Sequence, residues 1–134
     1  MPRDLAVAAA QARQHAIASY SGFKVGAAIE TPGGRVFTGC NIENASLGLT
    51  VCAERVALWK ALSEGEREFS SIAVICDAET PATPCGACRQ LLWEYCGDIS
   101  VLLHTVRGAS RTVKLAELLP QPFGRNYLST GKSD

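Results

Sequence analysis

The chain has 134 residues, 47% of them hydrophobic and 19% charged, and its 13 basic residues balance 13 acidic ones for a formal net charge of zero. That length suits one domain, residues 1–134. The basic residues are scattered singly, which speaks against a nucleic-acid partner, and no apolar run of about 18 residues offers a membrane span. The charged share lies below the roughly 25% of ordinary soluble chains, so a surplus of apolar surface is expected, and with it a homo-oligomer. The alanine-rich N-terminus carries Gln11, Arg13 and His15 and does not read as a secretory signal, so a cytoplasmic protein is expected. Without such a signal, six cysteines point to metal or redox chemistry rather than to a disulfide framework. Cys40, Cys76 and Cys96 are expected to be reduced thiols that behave as small apolar residues.

In chain order, Asp4 is a cap for a helix over about 5–19, with Leu5, Ala8, Ala9, Ala12, Ala16 and Ile17 near one face. Residues 24–30 have strand character. The turn Thr31-Pro32-Gly33-Gly34 returns the chain as a second strand over 35–38. Residues 39–49 are polar and turn-rich, the kind of loop that carries binding groups on a rigid scaffold. Thr50 is a suitable N-cap for a helix over about 51–63, stopped near Gly65, which would put Cys52 in the first turn. Ser71 to Cys76 reads as a buried strand. Pro84 or Cys85 opens a helix running to about Tyr95 and stopped by Gly97. A buried strand over 99–104, a short strand over 111–113 and a short helix over 114–119 follow, and Pro120 ends the last. His15 is expected on the surface of the first helix, and His104 at a strand end. Strands interleaved with helices predict the α/β class: a three-layer α-β-α sandwich around one mixed five-stranded sheet.

Two stretches concentrate the chemistry. Pro84-Cys85-Gly86-Ala87-Cys88 places two thiols three residues apart at a helix start. Cys52-Ala53-Glu54 places a third thiol two residues before a carboxylate, also at a helix start. Both follow strands, so the topology brings Cys52, Cys85 and Cys88 to one sheet edge. Three soft ligands suit zinc and leave a fourth position free for water. Helix N-termini stabilise the thiolates. Three thiolates around Zn²⁺ still carry a net negative charge, so a cation near the sulfurs is expected. Arg55 is the first candidate, with Arg89 and Gln90 as further ones. The pattern Cys-x-Glu followed by Pro-Cys-x-x-Cys matches the signature of zinc nucleobase deaminases in an all-cysteine version, where Glu54 is the proton carrier rather than a ligand. Two readings compete with it. A strand followed by Cys-x-x-Cys at a helix start also suits a redox pair, and three cysteines suit a purely structural zinc module. Phe23, Asn41 and Glu43, taken alone, read as core or turn residues.

Beyond these two stretches the chain resembles the small zinc-dependent cytidine deaminases of pyrimidine salvage. The resemblance rests on Tyr20-Ser21-Gly22-Phe23-Lys24-Val25-Gly26-Ala27-Ala28, Gly39-Cys40-Asn41-Ile42-Glu43-Asn44-Ala45-Ser46, Thr50-Val51-Cys52-Ala53-Glu54-Arg55, Pro84 to Gln90, and Leu118-Leu119-Pro120 followed by Phe123-Gly124. It implies a cytidine deaminase-like fold with one zinc per subunit. It also implies hydrolytic deamination of cytidine and 2′-deoxycytidine, with Glu54 shuttling protons for zinc-activated water. Further implications are a homotetramer with shared active sites, ribose contacts from Asn41 and Glu43, an aromatic wall from Phe23, and a backbone donor at Ala53. Phe123 would reach the base from a neighbouring subunit. The resemblance also implies charge moderation by Arg55, and Gln90 stands beside it as a further residue expected behind the ligands. Leu47 stands where the family usually carries an aromatic residue. A related enzyme acting on a modified cytosine nucleoside, of the blasticidin type or substituted on the amine, is the alternative within the same chemistry.

Overall fold

The computed structural model describes residues 4–128, and the outermost residues of the predicted 1–134 domain lie outside them. Helices α1 (Leu5–Arg13), α2 (Ala53–Ser63), α3 (Gly86–Cys96) and α4 (Leu115–Leu118) alternate with strands β1 (Val25–Glu30), β2 (Val36–Cys40), β3 (Ser71–Cys76), β4 (Ser100–Thr105) and β5 (Ser110–Lys114). The strands form one sheet in the order β2-β1-β3-β4-β5. β3 and β4 run parallel and the other neighbours antiparallel, so the sheet is mixed as predicted.

Strand alternation distributes the core between two layers. Ala27 and Ile29 of β1, Ile72 and Val74 of β3, and Val101 and Leu103 of β4 face α2, α3 and α4, where Ala57, Leu58, Leu92 and Leu115 are buried. The alternate residues Ala28, Ala73 and Ile75 face Leu5, Ala8 and Ala9 of α1. A period of two along each strand therefore makes three layers, α1 on one side and α2–α4 on the other. Two glycines set how closely the helices approach. A Cβ on Gly26 would run into the Ala9 carbonyl of α1, and one on Gly39 would stand 2.5 Å from the Ala53 carbonyl. Gly39 thus lets the first turn of α2 lie directly against β2.

The structure corrects several predicted boundaries, with a shared cause. α1 is capped by Asp4, whose Oδ1 accepts from the Ala6 N–H at 3.0 Å, but it ends at Arg13 rather than near residue 19. Ile17 leaves the helix to bridge Ile42, its N–H donating to the Asn41 carbonyl at 3.0 Å. His15 consequently sits in the turn beyond the helix. α2 begins at Ala53 rather than at 51, because Val51 exchanges two 3.0 Å backbone bonds with Ile42 and is held extended. Thr50 therefore does not cap α2; its hydroxyl accepts from the Asn44 N–H instead. The N-cap is Cys52, and that of α3 is Cys85. In both places tertiary pairing outweighs local helix propensity. His104 lies within β4, paired with Ser110 of β5, one residue short of the strand's end.

Candidate active site

The register pairs Val25 with Cys76 and Gly26 with Cys40. The start of β1 and the ends of β2 and β3 thus share one sheet edge, and α2 and α3 begin there. Cys52 (φ −79°, ψ 153°) and Cys85 (φ −65°, ψ 165°) each hold an extended backbone just before their helix, and neither side chain caps its own helix. The thiols are turned to each other instead. The Sγ atoms of Cys52, Cys85 and Cys88 all lie within 4.8 Å of one another, and those of Cys52 and Cys85 are 3.8 Å apart. Zinc–sulfur bonds of about 2.3 Å at the tetrahedral angle require sulfurs about 3.8 Å apart. The donor set and its spacing fit zinc, and these three cysteines are positioned to hold it.

Charge around the sulfurs is arranged by residues on the same two helix starts. Arg55 donates from Nη2 to Cys52 Sγ at 3.3 Å, as the sequence led us to expect, and its Nε is buried with no hydrogen-bond partner among the described residues. The Cys52 thiol is lowered to about 5, first by a hydrogen bond from Cys88 and then, against burial, by the bond and charge of Arg55. Cys88 is pushed up by donating that bond and by being fully buried. The other two candidates for quieting the sulfurs turn elsewhere. Arg89 bonds to three oxygens, and Gln90 donates to the Phe123 carbonyl at 2.7 Å.

A cavity of about 220 Å³ opens beside the cluster, lined by Phe23, Asn41, Cys52, Ala53, Glu54 and Cys85 together with Val25, Val74, Cys76 and Thr83. That is small against the roughly 300–1,000 Å³ of drug-sized sites, so it fits a single ring better than a large ligand. Glu54 is 5% exposed. Burial, with the nearby Cys52 charge adding to it, pushes its carboxyl up to about 7 although Arg55 opposes the shift. A carboxyl poised there can both take and give a proton near neutral pH.

The structure places the remaining predicted residues differently from one another. Asn41 lines the cavity, but its amide also serves the fold: Oδ1 accepts from the Val25 N–H and Nδ2 donates to the Phe23 carbonyl, both at 2.8 Å. Glu43 lies in an adjoining hollow with Tyr20, Ser21, Leu47 and Thr50, Thr50 being common to both spaces. It accepts from the backbone N–H groups of Tyr20 and Ser21 and from the Ser21 hydroxyl, and these bonds hold its pKa below the usual carboxylate value. The pair thus fastens the segment that carries Phe23. Phe123 is 56% exposed, stacks on Tyr127 at 5.3 Å, and is not among the residues that line the cavity. The sequence does not single out Thr83, and it presents Cys76 only as a small apolar thiol at a strand end, yet both line the cavity. A usable signal existed for each: Cys76 ends a strand at the edge where α/β sheets bind ligands, and Thr83 stands just before Pro84-Cys85.

A family model, "Cytidine and deoxycytidylate deaminase zinc-binding region", matches residues 3–103. The chain is 51% identical over 116 residues to a cytidine deaminase of Halalkalibacterium halodurans, covering 86% of this chain and 88% of the relative. It is 45% identical over 120 residues to a cytidine deaminase of Sporosarcina psychrophila, covering 89% and 88%. A 1.6 Å crystal structure of a cytidine deaminase from Burkholderia pseudomallei superposes with a TM-score of 0.85 at 49% identity, over 89% of this chain and 96% of that one. The fold and the three-sulfur centre define a zinc-dependent hydrolase of the deaminase class. The chain belongs to the cytidine and deoxycytidylate deaminase family. The redox-pair and structural-zinc readings of its cysteines yield to this one.

Proposed function

We propose that this single catalytic domain deaminates cytidine and 2′-deoxycytidine hydrolytically, with Cys52, Cys85 and Cys88 holding one zinc per subunit and Glu54 as the sole proton carrier. The observation that carries the reading is a buried carboxyl, raised to about 7, on the wall of a ring-sized cavity that is also lined by two of the three clustered cysteines, Cys52 and Cys85. When bound, zinc supplies the Lewis acidity that makes a water nucleophilic at neutral pH. Glu54 takes a proton from the attacking water and delivers it to N3 of the pyrimidine. It then carries the second water proton to the amine, so that ammonia leaves and C4 keeps the oxygen. Atoms balance as cytidine plus water giving uridine plus ammonia. The buried N–H of Ala53, in the first turn of α2, is free of intrahelical partners and is assigned to the ring carbonyl. Phe23 packs on the nucleoside. Asn41 and Glu43 are assigned to the ribose hydroxyls, the sugar extending from the smaller cavity toward the hollow of Glu43. A carboxylate there would repel a phosphate on the sugar, so nucleosides are favoured over nucleotides.

The active form in this reading is a homo-oligomer, a tetramer, in which Phe123 of a neighbour closes the site and Gln90 holds the Phe123 segment in place. Support comes from the apolar residues left exposed: Tyr20, Leu47 and Leu49 near the mouth, and Phe123, Tyr127 and Leu128 on the C-terminal segment. Six free cysteines suit a reducing compartment, the cytoplasm, and among the described residues no helix is long and apolar enough to cross a membrane. The test is ultraviolet absorbance with cytidine, 2′-deoxycytidine and an amine-substituted cytidine on the parent chain and on Glu54→Gln. The parent converts the first two, and the variant keeps its zinc while losing about 10²–10⁴-fold in kcat. A variant that stays active, or a parent that converts only the substituted nucleoside, overturns the assignment.

A further inference from the structure

Arg89 follows the ligand Cys88 in α3, yet all three of its guanidinium nitrogens are committed to oxygen. Nε donates to the Pro84 carbonyl, Nη1 to the Leu118 carbonyl and Nη2 to the Thr83 hydroxyl, each at 2.7 Å. None of these acceptors carries a charge, so no ion pair with them accounts for a guanidinium at this place. Their positions do. The Pro84 carbonyl belongs to the peptide from which Cys85 departs, and Pro84 is fully buried. Thr83 lines the reaction cavity. Leu118 closes α4, and its carbonyl is one of the helix-end acceptors that α4 cannot satisfy internally. α4 is itself fixed: Leu115 is fully buried and its N–H donates to the Ile99 carbonyl at 3.0 Å.

The wall that Arg89 grips has little else to hold it by hydrogen bonds. Among the described residues, 78–84 make no backbone–backbone hydrogen bond. This stretch nevertheless places one metal ligand and one side of the cavity. A planar guanidinium bonds three acceptors in a fixed relative geometry, which a lysine ammonium does not reproduce. The Thr83 oxygen, having accepted from Arg89, also keeps its own hydrogen to donate, on a residue that lines the cavity.

We propose that Arg89 is a positioning residue for the deamination: it ties the Thr83–Cys85 wall to the C-terminal end of α4 and so sets where Cys85 and the Thr83 hydroxyl stand relative to Glu54. The inference rests on the assignment of Cys85 as a zinc ligand and Glu54 as proton carrier. Unlike Arg55, it acts on the backbone that presents a ligand, without touching sulfur.

The experiment compares the parent zinc enzyme with Arg89→Lys, Arg89→Ala and Thr83→Val. It reads kcat and KM for cytidine, the rate of zinc release to a chelator, and the thiolate-to-metal absorption of cobalt-substituted protein. Arg89→Lys is expected to lower kcat tenfold or more with KM within threefold of the parent, to release zinc faster and to shift the cobalt spectrum. Thr83→Val is expected to lower kcat to a smaller degree, with the cobalt spectrum unchanged. Ethylguanidinium at millimolar concentration should restore part of the kcat of Arg89→Ala. If Arg89→Lys and Thr83→Val both keep kcat and zinc release within twofold of the parent, the proposal fails even if melting temperatures fall. Should an arginine variant not fold, a parent-like kcat in Thr83→Val alone overturns it. A parent chain without zinc or without deamination would instead overturn the reading on which it rests.

Discussion

α2 and α3 start in the same way and then use the same helical positions for different work. Each is preceded by an extended cysteine at the N-cap whose thiol faces the cluster. The third helical residue of each reaches the same sulfurs: Arg55 in α2 donates to Cys52, and Cys88 in α3 supplies the third sulfur. The second helical residue separates them. Glu54 is buried against the cavity, whereas Ala87 is exposed. The fourth differs again, Arg89 leaving the sulfurs to grip Thr83, Pro84 and Leu118. A helix start offers a fixed set of directions. Whether such a direction meets metal, substrate or solvent depends on what the rest of the chain packs against it.

This comparison can be broken at graded cost. The largest effect is expected at the third position of α3. Cys88→Ala removes a buried ligand, so zinc content by atomic absorption and cytidine turnover should both fall to background. The second position of α2 comes next, with the loss of kcat already stated for Glu54→Gln, and its counterpart Ala87→Gln should leave kcat within twofold. The third position of α2 is a charge rather than a ligand. Arg55→Ala should weaken zinc about 10–100-fold, as changes beside metal ligands do, measured by competition with a chelator.

Two smaller effects concern stability. In metal-stripped protein the Glu54 carboxyl titrates about 7 when folded against 4.5 when unfolded. Its pKa is raised by folding, so its contribution is fully present below pH 4.5 and is lost as pH rises through 7. The loss is on the order of 3 kcal/mol from the size of the shift. In urea unfolding of the stripped protein the lowered Cys52 thiol works in the opposite direction, so the effect is read as the difference between chains: the stability of the parent relative to Glu54→Gln should fall as pH rises across that window. The glycines near the two helix starts give the last contrast. Gly39→Ala pushes a Cβ against the Ala53 carbonyl at 2.5 Å and should cost about 1–3 kcal/mol. Gly86→Ala meets nothing within 4 Å and should be neutral or stabilising by a few tenths to about 1 kcal/mol. Thermal melts of the two zinc-loaded variants measure the difference.

The chain's own pattern made the chemistry legible because that chemistry is local. Cys52, Glu54 and Arg55 are within one helical turn, as are Cys85 and Cys88, so ligand, carboxylate and cation can be read from spacing. The order of strands and helices was legible for a similar reason, since buried strands and helix stops are marked by short apolar runs, glycines and prolines. Residues 14–23 and 41–51 were read less well. There Ile17, Ile42 and Val51 bridge one another across long stretches of sequence, shortening α1 and delaying α2. Thr50 is lost as a helix cap to that pairing, whereas Arg89 is drawn from the sulfurs by oxygens of Thr83, Pro84 and Leu118.

Alone, the sequence determined the family and the three thiols positioned for zinc, and it singled out Glu54 as the carboxylate beside them, because these are written in residue types a few positions apart. Only the tertiary structure decided that Asn41 and Glu43 also fasten the Phe23 segment, that Cys76 and Thr83 line the cavity, and that Arg89 holds its wall. Those contacts join parts of the chain from different elements. A long-range hydrogen bond leaves no periodic trace in the sequence, since its partners are brought together by sheet register and close helix packing rather than by spacing along the chain.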